Sequence, residues 1–169
     1  ISDHPGRHSV FVEIDCGEHR TGLRPDTAAV LDIAKIIDAA PNSTFMGVLT
    51  HGGHSYACET PAQIRLVAKE ERESVLLAAT RIREEGLQFK HVSVGSTPTA
   101  VFAESFDGIT EMRPGVYLLG DMFQVGLGSC KIDELAATVL STVISHQREH
   151  NRLVIDAGGL ALSKDRSTQ

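Results

Sequence analysis

Phe45-Met46-Gly47-Val48-Leu49 is a short run of nearly continuous apolar character, followed at once by Thr50-His51-Gly52-Gly53-His54-Ser55-Tyr56. A strand that is apolar on both faces reads as part of a parallel sheet covered on both sides. The loop after it leads to a marked helix start: Thr60 can cap, Pro61 suits the first helical position and Gln63 can close a capping box. That helix turns Ile64, Val67, Ala68, Val75, Ala79 and Ile82 to one side and stops at Gly86. Strand, loop and helix in this order form the repeating unit of an α/β fold.

The same unit lies on both sides of this one. Upstream, Val10-Phe11-Val12-Glu13-Ile14-Asp15 reads as a strand stopped by Cys16-Gly17. Asp26 to Ala40 follows as a helix with Ala29, Val30, Ile33, Ile36, Ile37 and Ala40 on one face and Pro41 as its stop. Downstream, strand His91-Val92-Ser93-Val94 leads through Gly95-Ser96-Thr97 into a short helix from Pro98 to Glu104. A fourth strand, Ile109 to Met112, ends in Arg113-Pro114-Gly115-Val116-Tyr117. Beyond Asp121 the pattern changes, and Ala136 to Ile144 and Leu153 to Ile155 read as longer strands joined by the polar turn His146 to Asn151. The expectation is an α/β chain: part of a TIM-type (β/α) barrel over residues 1–133, then the start of a C-terminal β-domain over 134–169. Right-handed crossovers make the sheet parallel. Four such units are about half of a barrel, whose full form takes roughly 250 residues.

Composition narrows the function. With 41% hydrophobic and 22% charged residues, the 169-residue chain has the make-up of a folded domain. A formal charge of -6 and the absence of a Lys/Arg run argue against a nucleic-acid partner. No stretch approaches the roughly 20 apolar residues that cross a bilayer, so no membrane partner is expected and the reading is a soluble cytoplasmic protein. Cys16, Cys58 and Cys130 are widely spaced and form no disulfide or metal framework, which suits a reducing compartment.

In parallel α/β sheets the residues just after each strand emerge on one face, where sites form. Here they are Asp15 to Arg20, His51 to Tyr56, Gly95 to Thr99 and Arg113 to Tyr117. Gly95-Ser96-Thr97 opens a helix and can meet a phosphate with backbone and hydroxyl donors, or serve only as turn and N-cap. Gly115-Val116 offers further backbone N–H groups. Arg20 can hold a carboxylate or phenolate oxygen, or pair on the surface with Glu18 or Asp26. His51, His54 and Cys58 are ligand types that suit zinc, yet a His at a strand exit can equally stack on a ring. His146 and His150 belong to a solvated turn, and Cys16 reads as a structural thiol unless His19 serves as its base.

Taken in order, these segments resemble the alanine-racemase-like family of pyridoxal 5'-phosphate (PLP) barrels, known as fold type III. Val12-Glu13-Ile14-Asp15-Cys16-Gly17 with Arg20 and Gly22 resembles the family's strand, turn and arginine. Thr50-His51-Gly52-Gly53-His54-Ser55-Tyr56 is similar to the D-serine dehydratase and D-threonine aldolase branch. Val94 to Thr99 and Arg113 to Tyr117 resemble its two phosphate loops, and Ile155-Asp156-Ala157-Gly158 through Ala161 to Asp165 resembles the entry to its C-terminal β-domain.

The resemblance implies a PLP-dependent lyase acting on D-β-hydroxy-amino acids, with a racemase or a non-catalytic PLP-binding module as alternatives. It implies that Gly95, Ser96, Thr97, Gly115, Val116 and Tyr117 bind cofactor, that His51 packs on the pyridine ring, and that Arg20 sits near the ring oxygen or the substrate carboxylate. Either Tyr56 or Arg113 meets the pyridine nitrogen; Arg20, His51 and Tyr56 form the catalytic set. None of the five lysines matches the family's Schiff-base lysine, which is expected upstream of Ile1. A divalent metal, zinc or manganese, is expected on a His-x-Cys pair beyond Gln169. A D-amino acid substrate and a homodimer in the full-length form complete the expectation.

Overall fold

β1 (His8–Ile14) and β2 (Ser43–Thr50) pair in parallel, and β3 (His91–Val94) and β4 (Glu111–Met112) extend the sheet in the order β1-β2-β3-β4. The four expected strands are therefore parallel neighbours. Strand order equal to chain order means that every crossover runs the same way round, as in a barrel. A doubly wound sheet reverses direction at a switch point. The computed structural model describes residues 6–164, in two compact units, Ile1–Gly115 and Val116–Gln169.

In the first unit, α1 (Ala28–Ala39) and α2 (Pro61–Glu84) cover one face of the sheet. Val30, Ala34 and Ile37 of α1 and Val75, Ala78, Ala79 and Ile82 of α2 share a core with Val12, Ile14, Val48, Val92 and Val94. Alternation along the strands turns Phe11, His91 and Ser93 to the other face, where the Phe11 and His91 rings lie 5.9 Å apart. The capping box of α2 forms as expected: Gln63 N–H donates to Thr60 Oγ1 at 3.3 Å, and Thr60 N–H donates to Gln63 Oε1 at 3.0 Å. Gly47 sits at the irregularity between β1 and β2 with φ +141, and a Cβ there would lie 1.9 Å from the His91 carbonyl oxygen. Only glycine lets the strands close at that point.

Three expectations need correction. On α1, Ile33 and Ile36 are exposed, because at 100° per residue Val30, Ala34 and Ile37 make the stripe that faces the sheet. Residues 136–142 form no strand; β5 (Val143–Gln147) starts at Val143 and pairs antiparallel with β6 (Arg152–Ile155). The polar groups before it are satisfied otherwise, since Ser141 Oγ and Thr142 N–H both donate to Asp156 Oδ1 at 2.9 Å. The turn is shorter than expected, with His146 inside β5 and paired with Leu153. One helix was not anticipated: α4 (Met122–Leu127), capped by Asp121 Oδ1 on Gln124 N–H at 2.7 Å and ended by left-handed Gly128.

Candidate active site

The C-terminal ends of β1, β2 and β3 are tied together by polar groups. After β1, Asp15 Oδ1 accepts from the Gly17 and His19 amides at 2.9 and 3.0 Å, and its Oδ2 meets His19 Nδ1 at 2.9 Å. Desolvation opposes ionisation of Asp15, but those amides and the His19 ring together hold its pKa below the ordinary carboxylate value. Leu23 returns to bridge Ile14, closing the turn. Arg20 leans on Glu13 at 3.7 Å and Glu18 at 3.9 Å with about half of its side chain exposed (52%). Asp26, the other partner considered for it, pairs with Arg24. Burial, with a smaller contribution from the Glu71 charge, pushes the Cys16 thiol up to about 11, so it is a neutral structural thiol. It donates to the His51 carbonyl at 3.4 Å.

After β2, Thr50 Oγ1 donates to the Ile14 carbonyl at 2.7 Å. His51 Nδ1 bonds to the Gly95 carbonyl oxygen. A carbonyl only accepts, so Nδ1 carries the proton and Nε2 is the ring's acceptor in its neutral form. Gly52 N–H donates to Glu71 Oε1 at 2.7 Å, and Gly95 N–H donates to the same oxygen at 3.1 Å. Ser55 and Ser96 hydroxyls are 3.1 Å apart. Tyr56 lies within the 3-10 turn Gly53–Ala57 and is half-buried.

After β3, Ser96 is the N-cap of α3 (Thr97–Phe102): its Oγ accepts from Thr99 N–H at 3.2 Å and lies 2.7 Å from Thr99 Oγ1. Ser96, Thr97 and Thr99 are all buried. Since Ser96 Oγ is engaged in the cap and Gly95 N–H is held by Glu71, the phosphate reading of this loop rests on the Ser96 and Thr97 backbone. After β4, Arg113 donates from Nε to Ser93 Oγ at 2.7 Å and from Nη2 to the Thr50 carbonyl. Gly95 packs against the Arg113 backbone, where an added Cβ would be 3.2 Å from its N and C atoms. Gly115 lies in open space, with nothing within 4 Å of the position a Cβ would take. Val116 and Tyr117 begin the second unit in the 3-10 turn Val116–Leu118, Tyr117 well exposed.

Glu71 is the residue that the sequence reading missed. Its signal is position: it falls on the buried stripe of α2 between Ala68 and Val75, where the periodicity calls for an apolar side chain. Of the ligand types considered for zinc, His51 Nδ1 is bonded to Gly95 and Cys58 Sγ donates to the His54 carbonyl at 3.9 Å. Among the described residues no three His, Cys, Asp or Glu side chains gather as a metal set. No helix among them is long and apolar enough to cross a membrane.

A parallel sheet whose four strands follow chain order, with Gly, His, Ser and Arg groups at the strand exits, is the arrangement of part of a (β/α) barrel. The family model described as the alanine racemase N-terminal domain matches residues 2–122, and the chain belongs to this family. A serine dehydratase domain model matches residues 136–169. D-threo-3-hydroxyaspartate dehydratase of Delftia sp. strain HT23 is 41% identical over 160 residues, covering 94% of this chain and 42% of that protein. Its solved structure matches with a TM-score of 0.87. D-serine dehydratase of Dictyostelium discoideum is 37% identical over 164 residues, covering 93% of this chain and 42% of that protein. D-threonine aldolase from Filomicrobium marinum shares the fold, with a TM-score of 0.76 at 20% identity over 95% of this chain and 44% of that one. The chain thus spans about two-fifths of the length of these relatives, 42% for both dehydratases.

Proposed function

We propose that this chain is the cofactor-binding part of a PLP-dependent lyase that acts on D-β-hydroxy-amino acids, by dehydration or by aldol cleavage. The observation that carries the proposal is the placement of the His51 ring. It is locked onto the Gly95 carbonyl between the β2 and β3 exits, in a chain similar to two dehydratases of D-amino acids. The residues suit PLP: a ring fixed by its own Nδ1–H can lie against a pyridine, and the open space at Gly115 leaves room for a phosphate. When bound, PLP supplies an electron sink for the charge released at the substrate Cα.

Ser96, Thr97, Gly115 and Val116 would hold the phosphate through backbone amides, with Gly95 letting the Arg113 backbone come close beside that loop and Tyr117 flanking it. His51 would pack on the ring, and Arg20 would orient the ring oxygen or the substrate carboxylate. Either Tyr56 or Arg113, whose Nε and Nη2 also donate to Ser93 and the Thr50 carbonyl, would meet the pyridine nitrogen. The proposal extends to the parent enzyme: a barrel portion to residue 133, a β-domain from 134, a cytoplasmic homodimer, and zinc or manganese on ligands outside this chain. One solved structure of a D-threo-3-hydroxyaspartate dehydratase is of a variant described as being in its metal-free form, which supports the metal.

The test is product analysis of the full-length protein with D-serine, D-threo-3-hydroxyaspartate and D-threonine. Keto acid with ammonia marks dehydration, and aldehyde with glycine marks aldol cleavage. Turnover of none of them, or interconversion of D- and L-alanine alone, would overturn the lyase reading.

A further inference from the structure

We infer that Glu71 is the positioning residue for His51: one oxygen of its buried carboxylate ties together the two strand-exit loops that hold the His51 ring. Glu71 is 2% exposed and lies on the apolar stripe of α2. Burying a carboxylate costs several kcal/mol unless its acceptors are matched, so an acid on that stripe answers to what it bonds. Its Oε1 accepts Gly52 N–H at 2.7 Å and Gly95 N–H at 3.1 Å. Gly52 is the peptide immediately after His51, and Gly95 carries the carbonyl that receives His51 Nδ1–H.

The bonds therefore close a circuit: Glu71 to Gly52, along the chain to His51, from its ring to Gly95, and from Gly95 back to Glu71. Both the backbone of His51 and the partner of its ring are fixed by the same oxygen. Shape agrees with this, for a Cβ on Gly52 would lie 3.0 Å from Glu71 Cδ. Gly52 is open at its Cα so that the carboxylate can come this close. A Leu at position 71 would suit the core and leave two strand-exit amides without an acceptor.

The role toward the cofactor rests on the PLP reading above, and the experiment separates the two. In the full-length protein, Glu71→Gln keeps one oxygen able to accept both bonds, whereas Glu71→Asp keeps the charge and withdraws that oxygen by one methylene. Hydrogen exchange, followed by mass spectrometry on the apo protein, reads peptides spanning Gly52 and Gly95. In Glu71→Asp these amides should exchange about ten- to a hundredfold faster, the span of a hydrogen bond to a charged acceptor. In Glu71→Gln both bonds remain but lose the acceptor's charge, so exchange should rise by no more than about tenfold and by less than in Glu71→Asp. Unchanged exchange in Glu71→Asp, or faster exchange in Glu71→Gln than in Glu71→Asp, overturns the inference. PLP titration adds the readout specific to His51. Glu71→Asp should weaken PLP at least about tenfold in the wild-type background and less than about twofold in a His51→Ala background, the non-additivity expected of residues acting through one another. Equal losses in both backgrounds would mean that Glu71 merely supports the fold. Should no variant or wild type bind PLP, the proposed function fails, and the exchange result still decides the role of Glu71.

Discussion

Alanine at Gly95 and at Gly115 should have opposite consequences, because one glycine is packed shut and the other faces open space. A Cβ at position 95 would sit 3.1 Å from Arg113 Cβ and 3.2 Å from Arg113 N and C, where ordinary contact begins at 3.4 Å. The required shift is up to about 0.3 Å. It cannot come from side-chain rotation, since the contacts are backbone and Cβ atoms and Arg113 N–H is bonded to the Val94 carbonyl at 2.9 Å. Overpacking of this kind costs about 1–3 kcal/mol. At about 2 kcal/mol, Gly95→Ala lowers the folding constant roughly thirtyfold and loosens the bond from Gly95 to His51. Gly115→Ala meets nothing within 4 Å, so its stability change should stay within about 0.5 kcal/mol. If its Cα faces the cofactor phosphate, PLP affinity should fall by about tenfold or more, from the loss of at least one good contact. Urea unfolding of the apo full-length protein and PLP titration by absorbance measure the two effects. Wild-type PLP affinity in Gly115→Ala would remove that residue from the phosphate site. A Gly95→Ala protein as stable as wild type would refute the packing argument.

Thr60→Ala should cost about 1 kcal/mol of stability in denaturant unfolding, because it removes one arm of the capping box on α2; no loss would mean that Gln63 alone suffices. Asp15 has a depressed folded-state pKa, so its contribution is present above the unfolded value of about 3.9 and is lost as pH falls through the folded value. Acid titration of stability should thus be less steep in Asp15→Asn than in wild type, and parallel curves would count against the Asx turn as an acid-sensitive element. With its thiol pushed up to about 11, Cys16 is about one part in a thousand thiolate at pH 8. Iodoacetamide under native conditions should leave it unmodified, and rapid labelling there would restore it as a candidate nucleophile.

The strands were legible because an apolar run between turn residues leaves few alternatives, and the strand exits followed from parallel order alone. Partner choice at the site was not legible. His51 bonds a backbone carbonyl at position 95, Arg113 bonds another at position 50, and Glu71 bonds the amides of Gly52 and Gly95. Side-chain chemistry does not encode which peptide group it will meet; inter-strand register does, and register emerges only when the sheet assembles. The second unit read least well because the periodicity of a half-buried strand was absent. Val143, Ile144, Leu153, Val154 and Ile155 are all exposed on both faces of the hairpin, so no alternation marked where pairing starts. The informative signal was a break in a pattern. On α2 the stripe Ile64, Val67, Ala68, Val75, Ala78, Ala79 and Ile82 is apolar except at Glu71. A core position that accepts a charge where packing alone favours a hydrocarbon marks a constraint other than stability, and here that constraint leads through two glycine amides to His51.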